Sequence, residues 1–176
     1  MKAKINKILF TTDLSSNSRY AFSYAANIAA HHGASIVILH VIEDIPQSSE
    51  SLISGFLGEE RMKELAKASE QSAHSVLIGK KSESMMIRQA LGAFSQDANA
   101  DRDEKGHGFI TDDIIVTKGD VVEEIMNHTK THDCDMIIMA YRSRNMLADT
   151  IIGGHARKVL RQSKKPVLLV PMPDEK

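Results

Sequence analysis

The run SIVILHV at Ser35–Val41 is almost unbroken in its apolarity and rich in β-branched residues. A strand of that kind has no polar face to give to water, so it must lie inside a sheet covered on both sides. Sheets covered in this way are parallel ones whose crossover connections are helices. The chain supplies those helices in alternation with its strands. Lys7–Thr12 (KILFTT) reads as a first strand. Behind it Phe22, Ala25, Ile28 and Ala29 recur at helical spacing, with Ser15, Ser16 or Asn17 available as a cap and Gly33 as the stop. A strand, a helix and a buried strand make a parallel βαβ unit.

The second half repeats the pattern. Ile114–Thr117 is a short third strand, and Asp120 with Glu123 opens a helix that turns Val121, Val122, Ile125 and Met126 inward. Met136–Ala140 is a fourth strand, followed by a polar segment containing Arg142, Ser143 and Arg144 and then by the pair Gly153–Gly154. A helix carried by Ala156, Val159 and Leu160 comes next, and Val167–Val170 is a last strand between Pro166 and Pro171. The expected fold is therefore α/β, a five-stranded parallel doubly wound sheet, and the winding order considered is 3-2-1-4-5. A chain of 176 residues suits one domain, 1–176, with 47–110 forming an enlarged crossover between strands 2 and 3. Within that crossover one helix is expected over Glu59–Ser75. A second is expected after Ser82 or Ser84, carried by Ile87, Ala90, Leu91 and Phe94, and then a polar mobile loop over Ser95–Gly108.

Bulk properties exclude several functions. A formal net charge of -1 gives no basic excess for nucleic acid. No apolar run reaches membrane-spanning length, and the N-terminal MKAKINKILF lacks the apolar core of a signal peptide, so a cytoplasmic location away from membranes is expected. The single cysteine, Cys134, excludes an internal disulfide and reads as a buried, inert thiol. His128 and His132 share a helix face with Glu124 but read as a surface pair, and no metal site is expected. There is no G-x-S-x-G, no G-x-x-x-x-G-K-[ST] and no G-x-G-x-x-G after the first strand, so no catalytic residue is assigned.

Open parallel sheets bind ligands beyond the carboxyl ends of their strands, where the winding reverses. With the order above, that crevice lies between strands 1 and 4. Thr12 and Asp13 would form one lip and the segment from Ala140 to His155 the other. Asp13 suits a base or ribose, and the amides at Gly153–Gly154 suit phosphates, because a helix start presents free N–H groups and a positive dipole end. Arg142 could add paired donors. The competing role for Asp13 is to cap the first helix.

KILFTTDLSSNS, SIVILHV, KGDVVEEI and DMIIMAYR…GGHARKVLRQSKKPVLLVP, in this order, resemble the universal stress protein family. The resemblance covers Lys4 to about Asp44 and Thr111 to Met172, leaving Gln47–Ile110 without a close counterpart. It implies an adenine-nucleotide alpha-hydrolase-like sandwich that is cytoplasmic, non-enzymatic and dimeric through the last strand, Val167–Val170. It also implies a branch that binds ATP or AMP, with magnesium only alongside ATP, and a branch that binds neither. Asp13 falls at the family's adenine or ribose aspartate, Val41 beside the adenine and Met139 beside the ribose. The phosphate motif, G-x-x-G then nine residues then G-[ST], falls on Ala140, Ser143, Gly153 and Gly154, so one of its four positions matches. If Ala140 has to adopt positive φ, its methyl costs roughly 1–2 kcal/mol. The hydroxyl missing at Gly154 costs about 1.5–3 kcal/mol of a charged hydrogen bond. Weak nucleotide binding is the leading expectation. A nucleotide-silent module that engages a protein partner through its crossover and dimer surface is the alternative.

Overall fold

The computed structural model describes residues 4–43, 49–64, 83–103, 108–141 and 153–171. In chain order the elements are β1 (Lys7–Thr12), α1 (Ser16–His32), β2 (Ser35–Ile42), α2 (Ser49–Leu57), α3 (Glu83–Asp103), β3 (Ile110–Lys118), α4 (Val121–Thr131), β4 (Met136–Tyr141), α5 (Gly154–Gln162) and β5 (Val167–Pro171). The five strands form one sheet in the order β3-β2-β1-β4-β5, and every neighbouring pair is parallel. The winding reverses between β1 and β4, as the expected order requires.

Strand residues alternate between two cores because their side chains alternate between sheet faces. Ile8, Phe10, Ile36, Ile38 and Ile138 enter the core beneath α1, α2 and α3. Leu9, Val37, Leu39, Ile137 and Met139 enter the core beneath α4 and α5. All ten of these side chains are buried, which is why the runs carry no polar alternation. Ser15 caps α1 by accepting the Ser18 N–H, and Gly33 closes it in the left-handed region at φ 62°. Asp120 caps α4 by accepting from the amides of Val122 and Glu123.

The crossover holds a helix that was not expected, α2 over Ser49–Leu57, which buries Ile53 and Phe56. After Gly58, at φ 88°, helix is present over 59–64, where the Glu59–Ser75 helix was expected to begin; the rest of that expected helix lies outside the described residues. The segment from Ser95 is no loop: α3 carries on to Asp103. No glycine or proline interrupts it there, and its polar side chains find partners. Asp97 takes a two-point contact from Arg61 at 2.7 and 2.9 Å, while Asn99 accepts the Phe109 N–H at 2.8 Å. Strand β3 likewise starts at Ile110, not Ile114. Its polar Thr111, Asp112 and Asp113 are tolerated because an edge strand needs only its backbone to pair. A register shift opposite Ile36 and Val37 leaves Asp112 out of the ladder, 2.6 Å from Lys7 Nζ.

Candidate functional site

Strand β1 ends in a tight turn. The Leu14 N–H donates to Thr12 Oγ1 at 3.0 Å, and Leu14 itself adopts φ 59°, a left-handed conformation unusual for a branched residue. Its burial in the core beneath α1 holds the backbone there against a cost of roughly 1–2 kcal/mol. The turn aims Asp13 outward. Its Oδ1 accepts from the Ser18 hydroxyl at 2.6 Å and from the Ser15 N–H at 3.0 Å. The carboxylate is therefore oriented by the first turn of α1, although the capping oxygen of that helix belongs to Ser15.

Facing this turn is the start of α5. Gly153 is its N-cap, and having no side chain it leaves the first amides without a cap from that position. Free N–H groups at a helix start attract an anion by direct hydrogen bonding and by the dipole. A Cβ added at Gly153 or Gly154 would meet nothing within 4 Å among the described residues.

Between the lips lies a cavity of about 640 Å³. That falls within the size range of small-molecule sites. Thr12 and Asp13 line it from β1, Val41 from β2, and Met139 and Ala140 from β4. Gly153, Gly154 and His155 line it from α5. Eight of the ten expected site residues are thus brought together; Arg142 and Ser143 lie outside the described residues. The strain expected at Ala140 is absent: it is an ordinary strand residue paired with Val170, and the positive-φ residues described do not include it.

Sequence reasoning missed Ser18, Leu39, Glu43, Tyr141 and Arg157, which also line the cavity. The period of two along β2 was enough to add Leu39 and Glu43 to Val41, and one helical turn from Gly153 was enough to add Arg157. Glu43 and His155 approach from opposite lips, with Oε1 and Nε2 3.6 Å apart.

His40 was also missed, because it sits inside an apolar run. It is 5% exposed, and its Nδ1 lies 2.8 Å from the Thr12 carbonyl. That contact makes Nδ1 the protonated nitrogen of a neutral ring. The imidazole lines a second cavity, about 520 Å³, walled by Ser51 and Gly55 of α2 and by Glu83 of α3. Burial lowers the His40 pKa, against smaller opposing pulls from the Thr12 carbonyl and the carboxylates of Asp13, Glu83 and Glu43. The folded state thus resists a proton that the unfolded chain accepts near pH 6.5. The stability this contributes is complete above that pH and is lost as pH falls toward the lower folded value, at no more than about 1.4 kcal/mol per pH unit for one proton. Melting temperature recorded between pH 7 and 5 should therefore fall less steeply in His40→Gln than in the wild type; parallel curves would show that His40 does not carry this term.

The other chemistry-bearing residues turn away from the cavity. His128 Nε2 meets Glu124 at 3.4 Å and His132 Nε2 meets Asp113 at 3.7 Å, so the two rings, 5.4 Å apart, serve separate carboxylates. Among the described residues no group of three or more His, Cys, Asp or Glu side chains is arranged to hold a metal. Cys134 is fully buried, and burial pushes its thiol up to about 11, which leaves no reactive thiolate at neutral pH. No described helix is long and apolar enough to cross a membrane.

A model of the universal stress protein family matches residues 4–171. The chain is similar to universal stress protein MJ0577 of Methanocaldococcus jannaschii, with 25% identity over 170 residues and 97% of each chain covered. Among solved structures, universal stress protein UspA from Lactobacillus plantarum superposes with a TM-score of 0.59 at 20% identity, covering 96% of this chain and 99% of that one. A universal stress protein in complex with cAMP superposes at 0.53 with 17% identity, covering 96% and 98%. Both the family model and the match to the Methanocaldococcus jannaschii protein span residues 47–110.

Proposed function

The chain belongs to the universal stress protein family, and from that premise we propose that it is a non-enzymatic stress-response protein that binds an adenine nucleotide between β1 and β4. The observation that carries this reading is the pairing of the Asp13 turn with the glycine-capped start of α5 across one cavity. Asp13 takes hydrogen bonds from ribose hydroxyls or the base. Leu39, Val41 and Met139 supply an apolar wall for the adenine, and the first amides of α5 hold phosphate. The complex of a similarly folded protein with cAMP supports an adenine nucleotide as the ligand class. AMP or ATP is proposed here, with magnesium entering only with the triphosphate. No acid–base pair is assigned to hydrolysis.

Thermal melting with AMP, ATP and cAMP, and with GMP as a control, tests the reading. Ligand at ten times its Kd stabilises a protein by about 1.4 kcal/mol. For a chain of this size that raises Tm by roughly 3–6 °C. The adenine nucleotides should produce the shift at millimolar concentration and Asp13→Ala should abolish it. No shift with any of them would favour the nucleotide-silent interaction module. The reading also includes a homodimer through β5, an edge strand of the sheet, since antiparallel pairing of Val167–Val170 with its twin would cover that edge. Sedimentation at micromolar concentration checks it.

A further inference from the structure

Glu43 occupies a position that a polyphosphate site would not favour. It stands at the end of β2, two residues beyond Val41, and so on the same face of the strand and in the same cavity wall. Its carboxylate reaches across to His155 in the first turn of α5, whose glycine N-cap offers its amides no side chain and lines the same cavity. The described charged groups lining the cavity are Asp13 and Glu43 on one side and His155 and Arg157 on the other. Even with a protonated His155 these four groups sum to zero, short of the positive surplus that a triphosphate requires. Both members of the pair are about half exposed, with side-chain accessibilities of 48% and 43%, so each can move aside for a ligand.

We infer that Glu43 sets the charge selectivity of this cavity, admitting a nucleoside monophosphate and disfavouring each further phosphate. The inference rests on the nucleotide reading above and names the residue that decides among nucleotides. A phosphate held at the start of α5 must displace Glu43 from His155 and then share the cavity mouth with its carboxylate. A first phosphate takes the helix amides and His155 in exchange. Arg157 is the remaining cationic side chain of the described lining, and each added phosphate also brings negative charge toward Glu43. A unit charge about 7 Å away, in surroundings between water and protein, alters affinity roughly three- to eightfold. Salt of a few tenths molar removes most of that effect.

The experiment measures the Kd of adenosine, AMP and ATP without magnesium for the wild type, Glu43→Gln and His155→Gln, at low salt and at 0.5 M salt. The Kd(ATP)/Kd(AMP) ratio should fall about three- to tenfold in Glu43→Gln at low salt, the change should shrink at high salt, and adenosine should bind equally to both proteins. His155→Gln should raise the ratio, since it removes the ring that the Glu43 carboxylate contacts at 3.6 Å and that a first phosphate takes in exchange. Because ratios are compared between proteins that share every other residue, the arginines at 142 and 144 are common to both sides. AMP and ATP binding with an unchanged ratio would overturn this inference and leave the nucleotide site standing. Equal weakening of adenosine, AMP and ATP would make Glu43 a ribose ligand and also overturn it. Failure of all three ligands to bind any of the proteins would sink the nucleotide reading itself.

Discussion

Replacing Gly154 by serine should tighten ATP and AMP binding by about ten- to a hundredfold, read as Kd by titration calorimetry. Gly154 is the first residue of α5 and lies in the cavity wall. A Cβ there meets no atom of the described residues within 4 Å, and its φ lies outside the left-handed range, so a side chain enters without backbone strain. A serine hydroxyl at a helix start can donate to a phosphate already bound by the amides. A hydrogen bond to a charged acceptor contributes about 1.5–3 kcal/mol, and each 1.4 kcal/mol is a factor of ten. The fold should not suffer, since glycine is the poorer helix residue by roughly 0.5–1 kcal/mol relative to alanine. Ala140→Gly, at the other departure from the family's phosphate motif, should by contrast change affinity little, because Ala140 is paired in β4. If Gly154→Ser melts normally and binds no tighter, the phosphates do not lie at this helix start.

The largest effect on stability is expected from Phe22→Ala, at about 3–5 kcal/mol and roughly 6–20 °C in Tm. Phe22 is buried on α1 and stands edge-on to three other rings, with centroids 5.1 Å away at Phe10, 5.0 Å at Phe94 and 5.6 Å at Phe109. Phe10 belongs to β1 and Phe94 to α3, while Phe56 of α2 meets Phe94 edge-on at 4.6 Å. One ring therefore joins the sheet to the crossover. The cavity left by its removal should loosen α3 before the sheet, so amide exchange in α3 should accelerate more than in β1. Equal acceleration in both, or a loss below about 1 kcal/mol, would mean that the crossover does not dock on this cluster.

These two positions also show how legibility varied along the chain. Gly154 was found from the local pattern of strand, loop, glycine pair and helix. Phe22 was recognised as inward-facing from its helical spacing, but nothing local said which rings it would meet. His40 was hidden within the apolar run that identified β2, because one polar residue there did not disturb the pattern. Its role depends on the Thr12 carbonyl, twenty-eight residues away in sequence. The tail of α3 was misread because its composition is that of a solvated loop; its helix is secured by Asp97 against Arg61 and by Asn99 against the Phe109 amide.

What the sequence by itself determined was the series of strands and helices, the burial of the inner strands, the family, and both lips of the cavity. Each of these follows from short-range periodicity or from motifs contained in one segment. What only the tertiary structure decided was the extent of β3 and α3, the place of His40, and the meeting of Glu43 with His155 across the cavity mouth. Those depend on contacts between residues far apart in the chain, whose free energies arise only once the sheet has paired and the helices have packed, and no local pattern encodes them.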